Sequence, residues 1–299
     1  MDDQVLRPSP IAHNVDAGGL GLRLWQYPTT PKNSQKIFHV LFLHGYYDTG
    51  RSFDSLISCL DPDIQAWSLD FRGHGQSDKA PPGASYHLLD HVKDSFSTIT
   101  HLNKKNITID LLVGHSMGGN IALMLAGSAP EKVNGLMLLD SLGAPAEDPK
   151  EQPARLGFAL EAMLKEYPPH FCHSQEEAIA KLQANNPHLT LEGATRMAEH
   201  MLCSDPQHPG RLLFAFDPRL RGPAPHRYPE ETWQAFCAGV KGPTWILQAE
   251  NGYAAPDGEY MNRLKHFSHM KLFTIPKVGH HLHVDAPDIV AKYVNQYRL

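Results

Sequence analysis

Gly114-His115-Ser116-Met117-Gly118-Gly119 is the stretch on which the reading of this chain turns. The run before it, Ile107 to Val113, is apolar and rich in β-formers, and the run after it, Asn120 to Ala126, has helical character. Strand, Gly-x-Ser-x-Gly and helix in direct succession predict a sharp turn that presents a serine hydroxyl at the end of a sheet. The flanking glycines leave room for the neighbouring backbone, and the serine itself is expected to sit in a strained conformation. The pentapeptide alone arises often by chance, and a serine between strand and helix is otherwise only a polar turn residue. Its placement makes Ser116 the candidate nucleophile, and a hydroxyl nucleophile needs a base.

Outward from that turn, short apolar runs alternate with helical patterns. The runs are Ile37–Leu43, Ile64–Leu69, Ile107–Val113, Leu136–Leu139, Thr244–Leu247 and Leu272–Ile275. This alternation predicts a mostly parallel sheet of βαβ units, hence an α/β fold. Ile11–Asp16 and Leu20–Tyr27 around Ala17-Gly18-Gly19 read as an N-terminal antiparallel hairpin, followed by a polar connector, Pro28 to Lys36. Between Leu139 and Thr244 the strand rhythm stops. Helical patterns occupy Arg155–Tyr167, Glu176–Ala184, Leu191–Leu202 and Glu230–Ala238. The expected organisation is a core of residues 1–143 and 236–299 with an inserted helical cap at 144–235. Ser174 and Glu177 have capping-box spacing at one helix start.

The base is expected near the C-terminus. The strand Leu272–Ile275 leads through Pro276-Lys277-Val278-Gly279 to His280, on a loop that can reach back over the carboxyl ends of the strands. His281 and His283 are neighbours expected to pack or bond locally. Val40–Leu43 runs into His44-Gly45-Tyr46-Tyr47, so the backbone N–H groups of Tyr46 and Met117 are the expected oxyanion donors. His44, Tyr47, His115, Phe158 and Phe214 are candidate pocket residues. Phe158, Met163, Met197, Met201, Phe214 and Phe216 are the apolar cap residues that could wall the pocket, with ordinary packing the competing reading.

Bulk properties narrow the function classes. Hydrophobic residues at 41% and charged residues at 20% allow a sizeable core. A net charge of −5 provides no basic footprint for phosphate backbones, so nucleic acid is not an expected partner and a small, uncharged, partly apolar acyl substrate is. The four cysteines are too scattered for a disulfide framework or a zinc pattern, and the nineteen histidines include no His-Glu-x-x-His pair, so no metal is expected. Neither a leader segment nor a run of about 20 apolar residues is apparent, and the expected location is cytoplasmic without stable membrane insertion.

Three segments together, Leu43-His44-Gly45, Asp70-Phe71-Arg72-Gly73-His74-Gly75-Gln76-Ser77-Asp78 and Gly114 to Gly119, resemble the capped α/β-hydrolase superfamily across nearly the whole chain. More narrowly, Asp217-Pro218-Arg219-Leu220, the Thr244–Gln248 run without the usual acid after it, and Gly279-His280-His281-Leu282-His283-Val284-Asp285 resemble the serine hydrolase-like proteins. Many members carry Gly-x-x-Asp after the strand at 244–248. Here Ala249-Glu250-Asn251-Gly252 stands instead, with Gly252 at the aspartate position. The resemblance implies a second location for the acid, the end of the strand after the nucleophile helix, where Asp140 lies. Glu250 is the alternative and Asp257 a third candidate, while Asp140 could otherwise be a strand-terminal capping residue. The resemblance implies a cofactor-free Ser-His-Asp hydrolase of carboxylic esters, with lactone opening or carbon–carbon bond hydrolysis as alternatives on the same triad. A catalytically silent ligand-binding protein is the alternative of another class.

Overall fold

A computed structural model describes residues 9–29, 37–253 and 259–298. Its centre is an eight-stranded sheet whose inner strands are mostly apolar runs. Along the chain the strands are β1 (Ile11–Asp16), β2 (Gly21–Tyr27), β3 (Phe38–Leu43), β4 (Ile64–Leu69), β5 (Leu111–His115) and β6 (Leu136–Leu139). Three short strands follow, β7 (Phe171–Cys172), β8 (Leu202–Ser204) and β9 (Leu212–Phe214), then β10 (Thr244–Asn251) and β11 (Met270–Gly279). The helices are α1 (Asp54–Ser58), α2 (Leu88–Asn103), α3 (Met117–Ser128), α4 (Gln152–Met163), α5 (Gln175–Asn185), α6 (Leu191–Met201), α7 (Glu230–Gly239), α8 (Glu259–Leu264), α9 (Leu282–Asp285) and α10 (Pro287–Tyr297).

The sheet order is β1-β2-β4-β3-β5-β6-β10-β11, antiparallel at β1–β2 and β2–β4 and parallel elsewhere. Strands covered on both faces read as unbroken hydrophobic runs, and β4, β5 and β6 are buried at every residue. Successive residues serve opposite faces: Val40 and Phe42 join one core cluster with Leu111, Val113 and Ile275, whereas Leu41 and Leu43 join another with Leu112, Ile121 and Trp233. The chain moves from β3 outward to β4 and returns across β3 to β5. The carboxyl ends of β3 and β5 therefore flank a topological switch point, the crevice where open α/β sheets bind ligands.

The strand expected from Ile107 begins at Leu111 instead. Asn106 adopts a left-handed φ of 60°, and the N–H of Ile107 turns back to the carbonyl of Leu102, so these residues close α2 before the strand starts. In the segment expected to be wholly helical, β7, β9 and β8 form a small antiparallel sheet. Helix α7, across which the expected boundary at 235/236 falls, packs against α3. At the start of α5, Ser174 accepts the N–H of Glu177, while the Glu177 carboxylate accepts the N–H of His173, one residue before the reciprocal position. No helix among the described residues is long and apolar enough to cross a membrane.

Candidate active site

Ser116 caps α3 with φ 52° and ψ −118°, a strained geometry for a residue with a side chain. Its turn is packed so tightly that a Cβ at position 118 would lie 2.1 Å from the carbonyl oxygen of Leu43, and one at 114 would lie 2.4 Å from that of Gly118. Both flanking glycines are therefore required by backbone contact. The half-buried serine opens onto a cavity of about 810 Å³ that His280 also lines.

His280 follows β11, and its Nδ1 lies 2.6 Å from Oδ2 of Asp140, which follows β6. Oδ2 also accepts the N–H of Tyr253 at 2.9 Å, and Oδ1 accepts that of Ala249 at 3.1 Å. An ionised carboxylate only accepts, so Nδ1 carries the proton and Nε2 keeps its lone pair. Asp140 itself has a φ of 45°, held by its N–H to the carbonyl of Leu247 at 2.8 Å. Gly252 leaves room for the Asp140 carboxylate. A Cβ at 252 would sit 2.3 Å from both oxygens of the Asp140 carboxylate, so any side chain there would occupy the acid's place. Glu250 is exposed, and its carboxylate instead accepts the N–H of Lys277, another residue with left-handed φ. Asp257 lies outside the described residues.

The loop bearing His280 is tied to the serine turn. His115 Nε2–H donates to the carbonyl of His280 at 2.9 Å, and its ring packs 4.2 Å from that of His283. Burial, reinforced by the neighbouring histidines, pushes the pKa of His115 well below the ordinary imidazole value and that of His281 down to about 3. Both are therefore neutral near pH 7. Asp48, His115 and His283 are all buried, and their potential ligand atoms lie within 4.8 Å of one another, the group best able to hold a metal among the described residues. No acceptor is found for the N–H groups of Tyr46 and Met117 among the described residues; Met117 directly follows Ser116, and Tyr46 lines the same cavity as Ser116.

Of the expected pocket residues, Tyr47, His115 and Phe214 line the cavity with Ser116, as do Met197, Met201 and Phe216. His44 does not. It is wholly buried, its Nε2 accepting the N–H of Phe71 and its Nδ1–H donating to the carbonyl of Gly45, so both ring nitrogens are spent on holding the loops. Phe158 does not either, being 63% exposed on α4, and Met163 is exposed as well, at 44%. Sequence reasoning overlooked Tyr253, whose ring lies 4.3 Å from that of His280. It also overlooked His170, Lys181 and Arg221 in the cavity wall. The position of Tyr253 directly after Gly252 was the available signal for the first, and nothing in the local spacing marked the others.

A strained serine between β5 and α3, an imidazole–carboxylate pair beside it and the switch-point crevice define a hydrolase-type site. The chain belongs to the alpha/beta hydrolase fold family, whose model matches residues 39–287. It is 26% identical over 269 residues to the serine hydrolase-like protein of Danio rerio, covering 86% of this chain and 80% of that one. It is 26% identical over 284 residues to the sn-1-specific diacylglycerol lipase ABHD11 of Mus musculus, covering 94% and 83% respectively. Among solved structures, a hypothetical protein from Pseudomonas aeruginosa PAO1 superposes with a TM-score of 0.82 at 28% identity, over 95% of this chain and 96% of that one.

Proposed function

We propose that the chain is a serine esterase that cleaves a carboxylic ester, or a closely related acyl bond, through Ser116, His280 and Asp140. The observation that carries this reading is the 2.6 Å contact of His280 Nδ1 with Asp140 Oδ2, in a loop opening on the same cavity as Ser116. Asp140 fixes the tautomer and orientation, leaving Nε2 to take the serine proton as Oγ attacks the substrate carbonyl. The resulting imidazolium is stabilised by the buried carboxylate, then returns the proton to the leaving group. Water repeats the sequence to release the acid. Free N–H groups of Tyr46 and Met117 receive the developing oxyanion, each worth about 3 to 4 kcal/mol in comparable sites. No step needs a cofactor.

Residues 144–235 act as the lid, since α5, α6 and β9 supply Leu182, Met197, Met201 and Phe214 to the cavity. A second, mainly apolar cavity of about 480 Å³ lies on the Met117 side and shares Tyr46 with the first. Two cavities that share Tyr46 suit a substrate with two substantial arms, an acyl part and a leaving group. The test is hydrolysis of p-nitrophenyl esters of increasing chain length, with lactones and a carbon–carbon bond substrate as comparisons. The expected result is ester turnover with an optimum at intermediate chain length. Turnover of lactones alone would replace the ester reading, and turnover of none would favour a silent binding protein.

A further inference from the structure

We propose that His170, Lys181 and Arg221 form an anion-binding wall of the active-site cavity, so that the acyl substrate has an apolar body and ends in a carboxylate or phosphate. This rests on the serine hydrolase reading and names the substrate class for it.

The three residues come from separate pieces of the cap, the loop before β7, helix α5 and the turn after β9, yet all line the cavity that contains Ser116. Lys181 is anchored through Nζ to the carbonyl of Phe171 at 2.9 Å and paired with Glu177 at 2.7 Å, so one positive charge is already compensated. Arg221 is different. Its guanidinium donates to the carbonyls of Pro168 and Pro218 and lies 5.5 Å from the Tyr167 ring, which orients the fork without neutralising it. Among the described residues no carboxylate lies within ion-pair distance of Arg221. The positive field at this wall is felt by His170, whose pKa is lowered by burial and then by Arg221 and Lys181.

The rest of the enclosure is apolar, with Leu182, Met197, Met201, Phe214 and Phe216 facing the same space. Arg221 is half-buried and His170 and Lys181 are exposed, so the wall stays hydrated until a ligand arrives, and the planar fork of Arg221, free of any carboxylate partner among the described residues, matches carboxylate or phosphate. The chain as a whole carries −5, so this wall is a local exception to the general charge. The overall charge pointed to an uncharged substrate; the cavity points to one with an anionic end.

Two matched substrate pairs test the assignment. Mono-p-nitrophenyl adipate against p-nitrophenyl hexanoate places a carboxylate at the end of the acyl arm. S-hexanoyl-phosphopantetheine against S-hexanoyl-pantetheine places a phosphate on the leaving arm. The expected result is a preference of about tenfold or more in kcat/KM for the anionic member of at least one pair, the scale of one charge-assisted hydrogen bond. That preference should collapse toward one in Arg221→Gln, invert in Arg221→Glu, and shrink as salt rises. Equal turnover within both pairs by the wild-type chain would overturn the proposal, as would an Arg221→Gln variant that keeps the wild-type preference. Failure of all four substrates, together with no labelling by a fluorophosphonate, would overturn the serine hydrolase reading and this proposal with it. Labelling without any anion preference would overturn the proposal alone.

Discussion

Gly252 and Asp140 contend for one small volume, and that contest decides where the acid of the site can be. With a Cβ at 252 placed 2.3 Å from both carboxylate oxygens, the chain can carry an acid after β6 or a side chain after β10, not both. The sequence left this open: Gly252 read as the lack of an acid, and Asp140 entered through resemblance, with Glu250 beside it. What no spacing rule conveys is that the missing side chain is what lets the distant carboxylate in. Asp140→Asn should preserve the contacts to Ala249 or Tyr253 in part but favour the wrong imidazole tautomer, lowering kcat by about 10⁴. Glu250→Gln should change kcat little, because Glu250 holds Lys277 and not His280. Steady-state kinetics alongside thermal unfolding of each variant checks this. Equal losses in two stably folded variants would contradict it.

At the scale of elements, the parallel strands and the serine turn were legible because their cause is local. An unbroken apolar run is buried on both faces, and a glycine-flanked serine between strand and helix needs that turn. The segment 144–235 was legible only as helices. Strands of two and three residues, such as β7 and β8, are too short to show alternation, and helical periodicity reveals an apolar stripe without saying what it faces. Phe158 on α4 and Met197 on α6 look alike in sequence, yet one is exposed and the other lines the cavity. Helix α6 is joined through α9 to the loop bearing His280. Asp285 Oδ1 accepts both the N–H and the hydroxyl of Thr190 at 3.1 and 2.6 Å, at the start of α6, while Arg196 of α6 donates to the carbonyl of Val284. Asp285→Ala removes this clamp. It should cost about 1 to 2 kcal/mol of stability, seen as a lower Tm, and raise KM more than it lowers kcat. An unchanged Tm and KM would show that α6 is held elsewhere.

Across the whole molecule, two apolar clusters on opposite faces of one sheet make a rigid platform, and the strained residues Ser116 and Asp140 sit at its carboxyl edge. Composition could indicate a core of this size. It could not reveal a cationic wall inside an acidic protein, because net charge averages over surfaces that never meet the substrate. The central claim is that one hydroxyl, activated by His280, does the covalent chemistry. Its most direct measurement is reaction of the purified chain with an active-site fluorophosphonate, followed by mass mapping of the adduct. The account predicts one adduct per chain, located on the peptide containing Ser116, slowed by several orders of magnitude in His280→Ala and lost in Ser116→Ala. A stoichiometric adduct on any other serine, or labelling that persists in a folded Ser116→Ala variant, would contradict it.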